Sequence, residues 1–112
     1  MKHFADLLLK NINSKSYDQE PFIKGRRGIE IKSSREIKLM KKSSRVVATV
    51  LREVEDFVKP GISTKDIDEF AERRIRELGA VPSFKGYQGF PCSICSSVNN
   101  EVVHGIPNKN KI

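Results

Sequence analysis

The stretch that decides the predicted fold runs from Cys95 to Pro107 and reads CSSVNNEVVHGIP. Residues 93–98 and 101–104 are short runs with strand character, and the dipeptide Asn99–Asn100 separates them. Asparagine tolerates the positive φ angles that a tight two-residue turn requires. The pattern therefore predicts an antiparallel β-hairpin near the end of the sequence.

Two helices are predicted before this hairpin, and each begins with a capping box. Ser33 with Glu36 opens the first helix, because a serine followed three residues later by an acid satisfies two backbone N–H groups. Ser63 with Asp66 opens the second helix in the same way. Pro60–Gly61 is expected to end the first helix. Its apolar face recurs at three- and four-residue spacing and comprises Ile37, Met40, Ser44, Val47, Val50, Leu51, Val54 and Val58.

The remaining segments complete an α+β arrangement. Residues 29–32 alternate apolar and polar side chains, which indicates a short strand. The second helix should end at Gly79, and residues 80–91 should form a loop because they contain two prolines and two glycines. The inner face of the second helix is predicted to comprise Ile67, Phe70, Ala71, Ile75 and Leu78. We expect a small antiparallel sheet, including the hairpin, packed on two helices.

The bulk composition suits a single domain outside the membrane. The chain has 112 residues, of which 38% are hydrophobic and 31% charged. No apolar run approaches the roughly 18 residues that a membrane helix needs. The N-terminus has a short apolar stretch and no small-residue cleavage site, so it does not read as a signal peptide. We predict a cytoplasmic protein with no membrane partner.

The net charge of +7 is concentrated at the front of the chain. Residues 1–47 contain 12 Lys and Arg against five Asp and Glu. Residues 1–28 are predicted to be a flexible basic extension, in which residues 4–12 could form an amphipathic helical turn or two. Such a basic region fits a docking surface for RNA or the ribosome, and it fits equally a solvated face without a partner.

His104 is the strongest candidate for chemistry. It lies where the predicted hairpin runs into Gly105–Pro107, a turn from which a side chain can project into a cleft. A neutral imidazole can donate or accept a proton near pH 7, although a lone histidine at a strand end is more often structural.

The other reactive residue types give weaker signals. Cys92 and Cys95 form a C-x-x-C pair on a predicted strand, where side chains three apart point to opposite faces. We therefore expect neither a zinc site nor a redox pair. The acidic residues of the two helices are explained as solvated faces, and no metal-binding or nucleophile motif appears.

Residues 82–91, 93–95 and 99–107 together resemble the N-terminal half of the type I, bacterial-type methionine aminopeptidases in order and spacing. With matches farther upstream, the resemblance covers residues 29–112. It implies the N-terminal half of a pita-bread (creatinase/aminopeptidase) fold, preceded by the extension at residues 1–28. It also implies a fragment truncated before the metal ligands of the family.

The resemblance assigns roles to five residues. His104 matches the family histidine that contacts the substrate near the scissile bond, helps to stabilise developing charge and is not a metal ligand. The positions that line the pocket for the substrate's methionine side chain are matched by Phe84, Tyr87, Phe90 and Cys95. Aromatic edges and a thiol suit a polarizable thioether, although ordinary core packing would also explain the aromatic residues.

The resemblance implies removal of the initiator methionine from nascent proteins, catalysed by two divalent metal ions such as Co, Mn, Fe or Zn. The whole enzyme is expected to be monomeric. Because the five family ligands would follow Ile112, we expect no metal on this chain and no activity from it alone. Two alternatives stay open: a pita-bread protein that binds without cleaving, and a basic module that docks on RNA or the ribosome.

Overall fold

The computed structural model describes residues 31–111, which form two helices joined by a short loop. Helix α1 is Ser34–Phe57, helix α2 is Thr64–Glu77, and a single 3-10 turn follows at Tyr87–Gly89. The other described residues are turns and coil. The predicted amphipathic turn at residues 4–12 and the linker that follows it lie outside the described residues.

Both predicted capping boxes are confirmed. The Ser33 N–H donates to the Glu36 carboxylate over 2.7 Å, and the Glu36 N–H donates to Ser33 Oγ over 3.3 Å. At α2 the Ser63 N–H donates to Asp66 over 2.9 Å, and the Asp66 N–H donates to Ser63 Oγ over 3.2 Å. These hydrogen bonds lower the pKa values of both acids, since they favour the charged carboxylates. Local sequence therefore sets where each helix begins.

The two helices pack antiparallel, with aromatic and charged contacts along their length. Phe57 stacks on Phe70 with ring centroids 4.3 Å apart and planes 7° from parallel. Nearer the middle of α1, the Glu53 carboxylate accepts two hydrogen bonds from Arg74, over 2.6 and 2.8 Å. Val50, about one turn before Glu53, is buried. The side of α1 that bears Val50, Glu53 and Phe57 is thus the side that meets α2.

The predicted apolar face of α1 lies mostly in the open. Among its eight members only Val50 is buried. Leu51 is 62% exposed and Val47 54%, with comparable exposure at Ile37, Met40 and Val58. The helix has apolar residues on more than one side, and α2 covers the flank around Val50 instead of the centre of the predicted face. Within residues 31–111, neither helix has the length and apolar character that crossing a bilayer demands.

The predicted antiparallel sheet is wrong, because residues 31–111 contain no strand. Ile31 and Lys32 are coil, and residues 29–30 of that predicted strand lie outside the described range. At the predicted hairpin the turn itself forms: Asn99 has a φ of 54°, and the Glu101 N–H donates to the Val98 carbonyl over 3.1 Å. Beyond that turn the two segments do not pair as strands.

Side chains take the backbone groups that a hairpin ladder would use. The Val98 N–H donates to the Glu101 carboxylate over 3.0 Å, and the Gly105 N–H donates to Ser97 Oγ over 3.2 Å. The Ser96 N–H does donate across to Gly105, over 2.8 Å, although a regular hairpin about Asn99–Asn100 would pair Ser96 with Val103. Two residues are therefore looped out, and Val102 and Val103 are 89% and 67% exposed.

Candidate functional site

A buried acid on α2 anchors the segment that carries Cys95. Asp68 is 1% exposed, and its Oδ1 accepts hydrogen bonds from the backbone N–H groups of Ser93 and Ile94, over 2.7 and 3.1 Å. Its Oδ2 accepts from the Lys65 ammonium over 2.9 Å, an interaction that raises the pKa of Lys65. The charge of Asp68 is thus compensated, and the chain at residues 93–94 is tied to α2.

A second acid, one turn along α2, holds the aromatic loop of residues 84–90. The Glu72 carboxylate accepts from Lys85 over 2.6 Å, from Arg76 over 2.8 Å and from Ser93 Oγ over 3.1 Å. Two cations and a hydroxyl favour its charged form, so its pKa falls from 4.5 to about 2. Because Lys85 lies inside the loop and Ser93 beyond it, Glu72 ties the loop and the segment that follows it to one helix.

The aromatic loop closes on itself through backbone hydrogen bonds. The Gly86 N–H donates to the Phe90 carbonyl over 2.8 Å, and the Phe90 N–H donates to the Tyr87 carbonyl over 2.9 Å. Gly86 has a φ of 82°, which glycine adopts at little cost. Phe84 and Phe90 meet edge to face with ring centroids 6.5 Å apart. Phe84 and Tyr87 nevertheless remain 43% and 45% exposed, so their ring surface is available to a ligand.

The segment after His104 docks on the start of α2. The Thr64 hydroxyl donates to the Asn108 carbonyl and accepts from the Asn108 N–H, both over 3.0 Å. The Thr64 N–H donates to the Lys111 carbonyl over 2.7 Å. Pro107 is buried, and its carbonyl lies 3.9 Å from the sulfur of Cys92. These contacts fix the chain on the C-terminal side of His104.

Gly105, the residue directly after His104, allows two backbone segments to approach closely. A Cβ atom at this position would lie 2.2 Å from the Ser96 carbonyl oxygen and 2.9 Å from a carboxylate oxygen of Glu101. A Cβ atom cannot be accommodated at that distance from backbone, so glycine is the residue that permits the approach.

His104 itself is exposed and has a φ of 55°, in the left-handed region. It precedes Gly105, and Cys95 precedes Ser96, so the Ser96–Gly105 hydrogen bond brings the segments of both predicted site residues together. Cys95 is also exposed. In the part of the chain that the structure describes, no hydrogen bond or ring contact joins His104 to the aromatic loop. The structure therefore brings the rings of Phe84 and Phe90 into contact and places the segment of Cys95 next to that of His104.

Asp68 and Glu72 hold the segments of the candidate site in place, although the sequence predicts that the acids of both helices lie on solvated faces. Their position on the inner side of α2 could be predicted from spacing, because both acids flank Ala71 and lie four residues apart.

The acids and cysteines of the described residues do not cluster as metal ligands. Across residues 31–111 no set of three or more His, Cys, Asp or Glu side chains is placed to hold a metal ion. Asp68 and Glu72 are each satisfied by cations and N–H or O–H donors. These residues therefore do not fit a metal centre.

Comparison with known proteins gives a consistent set of matches. The model of metallopeptidase family M24 matches residues 38–112. Methionine aminopeptidase 1 of Bacillus subtilis is 55% identical over 76 residues, which are 68% of this chain and 31% of that protein. Methionine aminopeptidase of Clostridium acetobutylicum is 48% identical over 84 residues, 75% of this chain and 34% of that protein.

A solved structure agrees with these matches. The crystal structure of methionine aminopeptidase from Rickettsia prowazekii superposes with a TM-score of 0.70 at 34% identity, covering 72% of this chain and 33% of that one. The chain thus spans about a third of the length of the relatives it matches.

Proposed function

Because the chain belongs to metallopeptidase family M24, we propose that it forms the substrate-facing part of a methionine aminopeptidase. The whole enzyme would hydrolyse the peptide bond after the initiator methionine of newly made proteins. The observation that carries the proposal is the match of residues 38–112, which include the aromatic loop and His104, to the family model, together with the likeness to methionine aminopeptidases. In this assignment residues 29–112 are the N-terminal part of the catalytic domain, and residues 1–28 are a basic extension.

His104 is assigned to the substrate near the scissile bond. Its side chain is exposed, while the backbone directly after it is held by the Ser96–Gly105 contact and by the docking of Asn108 on α2. A fixed backbone with an open side chain suits a group that donates a hydrogen bond to charge developing on the substrate.

The pocket for the methionine side chain is assigned to the aromatic loop and Cys95. Phe84 and Phe90 hold each other at a right angle, and the exposed rings of Phe84 and Tyr87 present edges that a thioether can contact. Cys95 adds a soft, exposed sulfur on the neighbouring segment. Glu72, through Lys85 and Ser93, holds the loop and this segment in one frame.

The two divalent metal ions of the whole enzyme are assigned to residues outside 31–111, because the described residues do not form a metal site. When bound, such ions supply the hydroxide nucleophile and polarise the scissile carbonyl. This chain contributes recognition: it binds the methionine side chain and places His104 at the reacting bond.

The exposed free thiol of Cys95 supports a reducing compartment, so we place the protein in the cytoplasm, where nascent chains emerge.

A chimera tests this assignment directly. The matched segment of the Bacillus subtilis relative is replaced by the corresponding segment of this chain, and release of methionine from a Met-Ala peptide is measured. We expect activity, and we expect His104→Ala in the chimera to lower kcat by about a hundredfold. Asn100→Ala, an exposed turn substitution on the same segment, is the matched control and should leave kcat unchanged. A folded chimera without activity would favour a pita-bread protein that binds without cleaving.

A second candidate function is docking on RNA, including the ribosome, and the charges of α1 favour it. Five exposed cations on this helix have no ion-pair partner among residues 31–111, whereas each cation of α2 has one. Because an α-helix turns by about 100° per residue, these five side chains lie within an arc of roughly 100° around the helix axis. They are Lys38, Lys41, Lys42, Arg45 and Arg52.

Salt-dependent binding of a labelled RNA tests this function. Lys38→Gln with Lys42→Gln should weaken binding and reduce the salt dependence, because each lost phosphate contact removes about 0.7 from the slope for a single strand. Lys59→Gln with Lys109→Gln is the control, since it removes the same charge from exposed lysines elsewhere. Equal effects of the two pairs would show that net charge, and not the α1 face, governs binding.

A further inference from the structure

The loop of residues 101–105, which carries His104, closes on the side chain of Glu101. Although Glu101 lies three residues before His104, one of its carboxylate oxygens is 2.9 Å from the position of a Cβ atom built on Gly105, directly after the histidine. The two valines between Glu101 and His104 are 89% and 67% exposed, and His104 is exposed as well. The Glu101 carboxylate therefore lies on the inner side of the loop.

Two donors from outside the loop bind this carboxylate. The Val98 N–H donates to one oxygen over 3.0 Å, and the Lys111 ammonium donates to the other. The hydrogen bond from Lys111, and then that from Val98, lowers the pKa of the Glu101 carboxyl, because both favour the charged form. The backbone of Lys111 is itself fixed, since its carbonyl accepts from the Thr64 N–H of α2 over 2.7 Å. One carboxylate thus joins the turn before His104 to the segment that is docked on α2.

The backbone of His104 is in a conformation that its surroundings must enforce. Its φ of 55° lies in the left-handed region, which is unfavourable for a residue with a Cβ atom. After His104, the hydrogen bonds of Gly105 with Ser96 and Ser97 restrain the chain. Before it, in the part of the chain that the structure describes, the two valines form no backbone hydrogen bond. The nearest restraint on that side is therefore Glu101.

We propose that Glu101 is a positioning residue, whose carboxylate fixes the loop so that the His104 imidazole is placed at the scissile bond. This inference rests on the proposed aminopeptidase function, which assigns His104 to the substrate. Glu101 acts through the backbone, because its carboxylate is already bound by Val98 and Lys111. Such a role matters for rate, since a misplacement of a reacting group by about 1 Å can cost about a hundredfold.

Backbone order parameters of the full 112-residue chain, from NMR relaxation of the amides, test the restraint on the loop without any enzymatic activity. We expect the His104 amide to have an order parameter of about 0.85 in the unmodified chain and below about 0.6 in Glu101→Ala. Glu101→Gln keeps an oxygen that accepts hydrogen bonds and should retain most of the order. The Ser93 amide, bound by Asp68, should stay ordered in both variants, which shows that the chain remains folded.

Two lysines provide a matched control for the same measurement. Lys111→Met removes the cation that binds the Glu101 carboxylate and should also lower the order parameter of His104. Lys109→Met removes the same charge from an exposed side chain two residues away and should leave it unchanged. Full order at His104 in Glu101→Ala, or equal losses in the two lysine variants, overturns the proposal.

A double-mutant cycle in the Bacillus subtilis chimera tests the role in the reaction. Glu101→Ala should lower kcat about tenfold when His104 is present. In the His104→Ala background it should change kcat by less than about twofold, because Glu101 then has no imidazole to place. An equal loss in both backgrounds would show a general structural effect and overturn the proposal. An unmodified chimera without activity would overturn the proposed function, and the role in the reaction with it, whereas the order parameters would still report the restraint on the loop.

Discussion

The Asp68 carboxylate lies 2.7 Å from the backbone nitrogen of Ser93, 25 residues farther along the chain, and both groups are buried. This hydrogen bond, with its neighbour to Ile94, ties the segment that leads to Cys95 and His104 to the middle of α2. In the described residues no sheet supports that segment. Its position therefore depends on side-chain acceptors on the helix, of which Asp68 is the most deeply buried.

Replacing Asp68 by alanine is expected to destabilise the fold by about 3 kcal/mol, because one buried and one partly buried N–H group and the Lys65 ammonium lose their acceptor. Urea denaturation followed by circular dichroism measures the loss. Glu69→Ala is the matched control one residue away, where the side chain is 63% exposed, and it should change stability by less than about 0.5 kcal/mol. Equal costs at the two positions would contradict the anchoring role of Asp68.

Glu72 should make stability depend on pH in the acid range. Its folded-state pKa of about 2 lies below its ordinary value of 4.5, so its contribution is fully present above about pH 4.5. That contribution is lost as pH falls from 4.5 through about 2, because the carboxylate held by Lys85 and Arg76 must be protonated. Glu72→Gln should flatten the stability profile in this window. Glu69→Gln, on the exposed side of the helix, should leave it in place.

The helices could be predicted from sequence because their signals are local, whereas the contacts between distant segments could not. Ser33 and Glu36 satisfy each other within one turn, whatever lies farther away. The pattern at residues 93–104 predicts strands from the alternation of side chains. It does not predict that the side chains of Glu101 and Ser97 accept hydrogen bonds from backbone N–H groups that a β-ladder would use. Likewise an acid such as Asp68 reads as solvated until the segment 25 residues away is placed over it.

Gly105→Ala is expected to open the contact between the two segments of the candidate site. The new Cβ would lie 2.2 Å from the Ser96 carbonyl oxygen, a backbone atom that can move only with its segment. Hydrogen exchange should show the Ser96 amide losing protection by about tenfold or more, since it donates to Gly105. The Ser93 amide, held by Asp68, is the internal control and should keep its protection. Unchanged exchange at Ser96 would show that the loop accommodates a side chain.

The two cysteines should react at different rates despite their spacing of three residues. Burial raises the pKa of the Cys92 thiol, and the nearby Asp68 carboxylate acts in the same direction, so little thiolate is present at neutral pH. Cys95 is exposed. Mass spectrometry after brief alkylation should therefore find label on Cys95 well before Cys92. The Cys95→Ser variant should label slowly, and fast labelling of that variant would contradict the buried position of Cys92.

The 112-residue chain by itself is expected not to release methionine from a Met-Ala peptide. Peptide hydrolysis in a metallopeptidase requires a metal-generated hydroxide, and residues 31–111 contain no cluster of three or more ligands that could hold a metal ion. Assays with added Co²⁺, Mn²⁺, Fe²⁺ or Zn²⁺ should all stay at the level of a metal-only control. Calorimetric titration with the same ions separates failure to bind metal from failure to react. Methionine release that depends on both the chain and a metal would show that residues outside the described range complete a metal site. The assignment of this chain to recognition alone would then be wrong.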